Sequence, residues 1–408
     1  MILLIAYANT FYEVSKSHFL VFILKYLISE SLKNQSNRVA MKVGILTMHY
    51  RRNYGGILQA YALSHIVQQL NHDVEIIDFR YNAKENRTFV EFIDLIWNKI
   101  LSCQKQLNKK KGGVERRELP SSHIKAFNAF KKAYLRYSYK VTNESISEIV
   151  NNYDAIIVGS DQVWNYLKGK HLFYFFDFGK PFRGKKISYA PCSVVETISR
   201  KTQSRLKRLL LEIDSLSVRD VTTQKLVTTS SGITPKIVLD PTFLYSFNEF
   251  VSQPIIAGDY VFAYILGSEI NGGHQKVLDK IFEKYGKMKV VAAILPDISL
   301  EVEKFADEIK YNASPDMWVN LISNAKFVYT DSFHGCVFSL KFHKPFYAYY
   351  KDASRTSRLI DLKESFGISS IHSSSEECII SDENYTQIDN IINQKVVSSL
   401  EFLKDSLS

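Results

Sequence analysis

The chain has 408 residues, 46% of them hydrophobic and 23% charged, which excludes disordered and fibrous classes and leaves ample apolar material for a large core. Its 52 Lys and Arg against 42 Asp and Glu give a formal net charge of +10, a balance that favours anionic partners: acidic glycan, membrane phosphate, phosphorylated metabolites. Nucleic acid is disfavoured, because no basic run is interleaved with aromatics and no zinc-finger or RNP-type pattern occurs. Cys103, Cys192, Cys336 and Cys378 lie far apart with no CxxC pair, so reduced, buried thiols in a cytosolic protein are expected.

Residues 1–40 open on an apolar stretch and carry a second one, Phe19–Ile28, interrupted by Lys25. Neither reaches the ~18–20 residues that span a bilayer, and no basic region or small-residue cleavage site marks a secretory signal. Met41-Lys-Val-Gly-Ile-Leu-Thr47 reads as the opening strand of an α/β domain that starts at a methionine. Residues 1–40 are therefore expected to be an extension upstream of the native start, with a peripheral membrane anchor as the rival.

From residue 42 short β-branched runs alternate with amphipathic stretches, the pattern of parallel sheets covered by helices. Strands are predicted at 42–47, 74–78, 155–158, 186–190, 216–218 and 236–239, then at 260–266, 290–295, 327–330 and 345–349. An N-terminal Rossmann-like domain is expected over 41–245, with a basic helical insertion at 80–150 that includes Lys109-Lys-Lys111 and Arg116-Arg117. That charged face reads as solvated, with recruitment of acidic glycan or lipid headgroups as the alternative. Asp240-Pro-Thr242 and the Ser246–Asp259 stretch read as a linker, followed by a C-terminal Rossmann-like domain over 255–370 and a strand/helix segment over 371–408.

The chemistry-bearing clusters sit after predicted strands. Asn53-Tyr54-Gly55-Gly56-Ile57-Leu58-Gln59 opens a helix, where unpaired N–H groups attract anions and glycines admit a ligand to the backbone; a tight packing turn is the competing reading. Ser160, Asp161, Gln162, Trp164 and Asn165 follow the buried strand at 155–158, the strand end at which open α/β sheets bind ligands. Paired donors and acceptors beside an indole suit a sugar, and the polar groups around Trp164 favour that reading over a plain core indole. Arg219 ends another strand and offers a planar fork for carboxylate or phosphate, with a local ion pair as the structural alternative. His334 falls at a helix start after Asp331 and Ser332 and before Gly335. Ser332 can cap that helix, and an imidazole there can exchange a proton near neutrality. No HExxH, promising DxD loop or carboxylate–histidine cluster suggests a metal.

Taken in order, Asn53-Tyr-Gly-Gly-Ile-Leu-Gln-Ala-Tyr-Ala-Leu63, Gly159-Ser-Asp-Gln-Val-Trp-Asn165, Ser217-Val-Arg-Asp220, Leu239-Asp-Pro-Thr242 and Ser323–Gly335 with Lys344-Pro-Phe346 resemble the polysaccharide pyruvyl transferase family over about residues 42–367. The resemblance implies two Rossmann-like domains facing a cleft, as in GT-B glycosyltransferases. It also implies transfer of the pyruvyl group of phosphoenolpyruvate, as a ketal, onto hydroxyls of a capsule or exopolysaccharide or its lipid-linked precursor, with no cofactor beyond that donor.

The family's donor-handling histidine and arginine map to His334 and Arg219. Its later basic residue maps to one of Lys351, Arg355 and Arg358, with Arg355 favoured. Ser332, Gly335, Gly55 and Gly56 would line the donor side, and Asn53, Tyr54, Gln59, Ser160, Asp161, Gln162, Trp164 and Asn165 the acceptor side. The chain departs from relatives at Ala190-Pro-Cys-Ser193, where they often run through small residues to a glycine. His334 is the candidate acid/base, its rival role being phosphate binding alone. A cytoplasmic enzyme, with peripheral attachment to the inner face of the membrane as a variant, is expected. The alternatives are a nucleotide-sugar glycosyltransferase on the same architecture and a non-catalytic glycan- or membrane-binding protein.

Overall fold

Lys42–Leu46 (β1) is apolar on both faces because it lies inside a sheet whose neighbours are all parallel to it. The computed structural model describes residues 39–49, 52–82, 120–195, 198–267, 270, 272–295, 301–351 and 353–408, with backbone only at 353–355. The chain divides into two units, Met41–Ile237 and, from Val238, Val238–Ser408. The expectations for the segment before Met41, and for the basic runs at 109–111 and 116–117, fall outside the described residues.

In the first unit β1 pairs with Asp73–Ile76 (β2) on one side, Val43 opposite Val74, and with Ala155–Val158 (β5) on the other, Val43 opposite Ala155. Lys185–Ser188 (β6), Ser215–Val218 (β7) and Lys236–Ile237 (β8) extend the sheet, giving the order β2-β1-β5-β6-β7-β8. A separate parallel pair, Phe79–Arg80 (β3) and Val141–Thr142 (β4), was not predicted. The strand order turns outward in both directions from β1 and β5, so the gap between their C-terminal ends is the topological switch point where such sheets take ligands. Helix Tyr54–Gln69 (α1) is buried along nearly its whole length. Helices Ser121–Tyr134 (α2), Arg200–Leu210 (α3) and Val221–Ser231 (α4) follow, α2 lying within the expected insertion.

The second unit repeats the plan: Tyr260–Tyr264 (β9), Lys289–Ala293 (β10), Glu308–Lys310 (β11), Phe327–Thr330 (β12), Phe346–Tyr350 (β13) and Ile371–Ser373 (β14) run parallel in the order β11-β10-β9-β12-β13-β14. Here the switch point lies between β9 and β12, where Val328 sits opposite Phe262. The helices are His274–Tyr285 (α5), Pro315–Asn324 (α6), Phe333–Lys341 (α7), Ala353–Phe366 (α8) and Tyr385–Ser406 (α9).

All ten predicted strands are present within a few residues of their expected limits. The boundary differs: residues 238–245 belong to the second unit, because Leu239 donates its backbone N–H to Ser399 Oγ and Phe243 stacks on Phe366 at 5.4 Å. Residues 371–408 are likewise part of that unit, supplying its edge strand and last helix. Among the described residues no helix is long and apolar enough to cross a membrane, and Cys192, Cys336 and Cys378 are buried thiols outside any disulfide.

Candidate active site

At the first switch point the polar residues knit strand ends together. Asn53 caps α1, its Oδ1 accepting from Gly56 N–H at 3.0 Å. Gln59 is fully buried. Its amide donates to Thr47 Oγ1 and the Gly56 carbonyl, both at 2.9 Å, and accepts from Ser160 N–H at 3.2 Å. Gln59 therefore straps β1 to β5 and has no acceptor-binding surface, and the same holds for fully buried Ser160. Tyr54 is also sealed, its ring 5.0 Å from Phe127, and burial pushes its phenol up. Both glycines lie in the first turn of α1, where a Cβ on Gly56 would meet the Met48 carbonyl oxygen at an ordinary 3.7 Å.

Trp164 is the clearest correction. Its indole is wholly buried, stacked on Phe175 with ring centroids 4.7 Å apart, and its Nε1–H donates to the Tyr174 carbonyl at 2.8 Å. The face expected to carry a sugar is covered by another ring. Trp164→Phe should cost about 1–3 kcal/mol in denaturant unfolding, through the orphaned Tyr174 carbonyl; an unchanged midpoint would show that this bond carries nothing. Asn165 lies nearby, half-buried, its Oδ1 accepting from Val194 N–H at 2.9 Å. It lines a cavity of about 440 Å³ with Tyr81, Tyr166, Val195 and Thr202, within the usual size for a small-ligand site. Gln162 is half-buried in the short turn that precedes it.

Asp161 stands at φ 68°, left-handed, and accepts from Arg219 Nη2 at 3.2 Å. That nitrogen is also 2.7 Å from Cys192 Sγ, and Arg219 is only 8% exposed. Asp220 caps α4 through Thr223. Arg219 is thus held by an ion pair across the ends of β5, β6 and β7, and the structural alternative describes its contacts. Ala190, which opens the Ala190–Ser193 segment, takes φ 49°.

The sequence reading passed over His49, which follows β1 by three residues. Its Nε2 is 2.8 Å from Asp78 Oδ1, and its ring lies 5.1 Å from Tyr137. Burial pushes His49 below its ordinary value against the pull of Asp78. Burial alone would raise Asp78, but the His49 hydrogen bond and the nearby charges of His49 and Arg80 bring it down. Lys131 of α2, close enough to feel Arg80 and Arg52, is pushed down to about 8, chiefly by burial. The strand-end position was the available signal.

At the second switch point Asp331 accepts from Leu266 N–H at 2.6 Å, tying the end of β12 to that of β9. Thr330 Oγ1 donates to the Tyr264 carbonyl and accepts from Ser332 N–H. Ser332 caps α7 by accepting from Gly335 N–H at 3.4 Å. A Cβ on Gly335 would fall 2.3 Å from Thr330 Oγ1, so this glycine lets the helix cross its own strand end rather than admitting a ligand on that side.

His334 is 5% exposed. Its Nε2 is buried without a hydrogen-bond partner and stands 3.8 Å from Asp240 Oδ2. Asp240 is almost wholly buried, its Oδ1 accepting from Thr242 N–H at 3.1 Å and Thr242 Oγ1–H at 2.7 Å. The carboxylate that faces His334 is therefore Asp240, not the adjacent Asp331. Lys351 is exposed after β13 and Arg358 half-buried on α8, while the side chain of Arg355 lies outside the described residues.

Two units, each a parallel sheet with a switch point and flanking helices, define a Rossmann-like α/β protein. The chain belongs to the polysaccharide pyruvyl transferase family, whose sequence model matches residues 53–352. No curated protein matches it. Similar solved structures include the UDP-GlcNAc 2-epimerase of Methanocaldococcus jannaschii, 14% identical over 88% of this chain and 92% of that one, TM-score 0.41. Another is Anabaena Alr3699/HepE in complex with UDP and glucose, 10% identical over 90% and 99%, TM-score 0.47. The Escherichia coli heptosyltransferase WaaC with ADP is 13% identical over 87% and 100%, TM-score 0.39.

Proposed function

We propose that this protein moves the pyruvyl group of phosphoenolpyruvate onto two hydroxyls of a glycan, forming a ketal and releasing phosphate. The observation that carries the reading is the buried, unpartnered Nε2 of His334 at the start of α7 beside the Asp240 carboxylate, inside the stretch matched by the family. An imidazole so placed can hold and exchange a proton.

In this reading His334 gives a proton to the donor's methylene carbon, whose double-bond electron pair forms the new C–H bond and leaves C2 electron-poor. One sugar hydroxyl adds its oxygen to C2, and its proton returns to His334. The C2–O bond to phosphate then breaks, and a second hydroxyl closes the ketal as its proton leaves with phosphate. The donor brings a carboxylate and a phosphate of about −1.5 to −2, which calls for N–H groups and cations. The first turn of α7, Ser332 and Arg355 are assigned to that task, with Gly55 and Gly56 at the start of α1. Asn53, Gln162 and Asn165 are assigned to the acceptor.

Incubating the protein with phosphoenolpyruvate and an array of capsule and exopolysaccharide intermediates tests the reading. Phosphate release coupled to ketal formation, seen by mass spectrometry, is expected; no release with any acceptor would overturn it. Arg219→Lys should raise the donor KM about tenfold if the fork reads the donor's anionic groups. An unchanged donor KM with a lowered melting temperature would assign Arg219 to the Asp161 ion pair alone.

A further inference from the structure

Asp240 is anchored so that its two oxygens do different things. Oδ1 accepts the N–H and hydroxyl of Thr242, fixing the turn at Pro241–Leu244, while Oδ2 is turned toward His334 Nε2 at 3.8 Å. That separation is longer than a hydrogen bond, between two groups that are both largely buried. Pairs of this kind tighten when a substrate seats. The other charged group beside His334 on the same turn, Asp331, is committed to Leu266 N–H, and Cys336 is fully buried with its thiol pushed up and neutral.

Resting on the reading of His334 as the proton carrier, we propose that Asp240 is its positioning residue: the carboxylate holds the imidazole in the tautomer protonated at Nε2 and steadies the imidazolium, leaving Nδ1 to exchange the proton with the donor. The cycle balances. Imidazolium loses the Nδ1 proton to the methylene carbon, becomes the Nε2–H neutral form that Asp240 favours, and regains a proton at Nδ1 from the attacking hydroxyl.

Nitrogen-15 NMR of histidine-labelled full-length protein, with His334→Ala used to assign the ring, tests this without substrate. The wild-type neutral ring should show the Nε2–H tautomer, and a neutral ring protonated mainly at Nδ1 would overturn the proposal. Asp240→Asn keeps an oxygen for Thr242 and removes only the charge. It should lower kcat by about 10–10³-fold with the donor KM within about threefold, and its His334 should lose the uniform Nε2–H signature. A purely structural role predicts instead a lowered melting temperature with the tautomer retained. Should the tautomer shift as expected while neither wild type nor variant releases phosphate, the pairing stands and the transferase reading fails. If turnover falls and the tautomer is unmoved, the transferase reading stands and the positioning role fails.

Discussion

Replacing His334 by alanine is expected to abolish pyruvyl transfer while leaving the fold intact. Among the described residues the imidazole makes no hydrogen bond, so none is lost with it; it stands 3.8 Å from Asp240 Oδ2, and its ring meets Phe333 edge-on at 5.2 Å. If it delivers the proton, kcat should fall by ~10²–10⁴. Phosphate release under saturating phosphoenolpyruvate, beside a thermal melt that moves little, makes the measurement. Wild-type turnover would remove His334 from the mechanism. A raised donor KM with kcat preserved would recast it as a phosphate ligand, because uniform binding is lost without loss of the step specific to the transition state.

The second large effect is expected at Gly159. Its φ is 124°, and a Cβ built there would fall 2.1 Å from the Tyr189 carbonyl oxygen at the end of β6. Backbone must move to admit one methyl group, and Ser160 and Asp161, which carry the links to Gln59 and Arg219, move with it. Gly159→Ala should cost about 3 kcal/mol or more in denaturant unfolding. A cost below about 1 kcal/mol would mean that the strand ends yield more readily than their packing implies.

The central strands were legible because parallel strands covered on both faces read as continuous apolar runs: Ala155–Val158 and Phe327–Thr330 coincide with their predicted limits. The edges were not. Phe79–Arg80 has two residues and Glu308–Lys310 alternates charge around one isoleucine, so neither carries a signal. The place of His334, after a strand and at the start of a helix, was readable. The carboxylate that faces it was not, since Asp240 lies 94 positions away in a segment whose Asp-Pro-Thr looks like a linker. Trp164 failed for a different reason: composition says an indole is present, and only packing says that Phe175 already occupies its face.

The last helix of the chain bears on how the protein is made. Ser399 of α9 holds Leu239, immediately before Asp240, while Asp389 meets His343 at 3.0 Å and Tyr385 reaches the Lys344 carbonyl at 2.6 Å. These three anchoring residues lie beyond residues 53–352, the stretch that the family model matches. During synthesis the turn bearing Asp240 emerges from the ribosome early and waits for some 150 further residues before its clamp arrives. A nascent chain stalled short of α9 would carry the whole of residues 53–352 and still lack the side chain that holds Leu239, the residue next to Asp240.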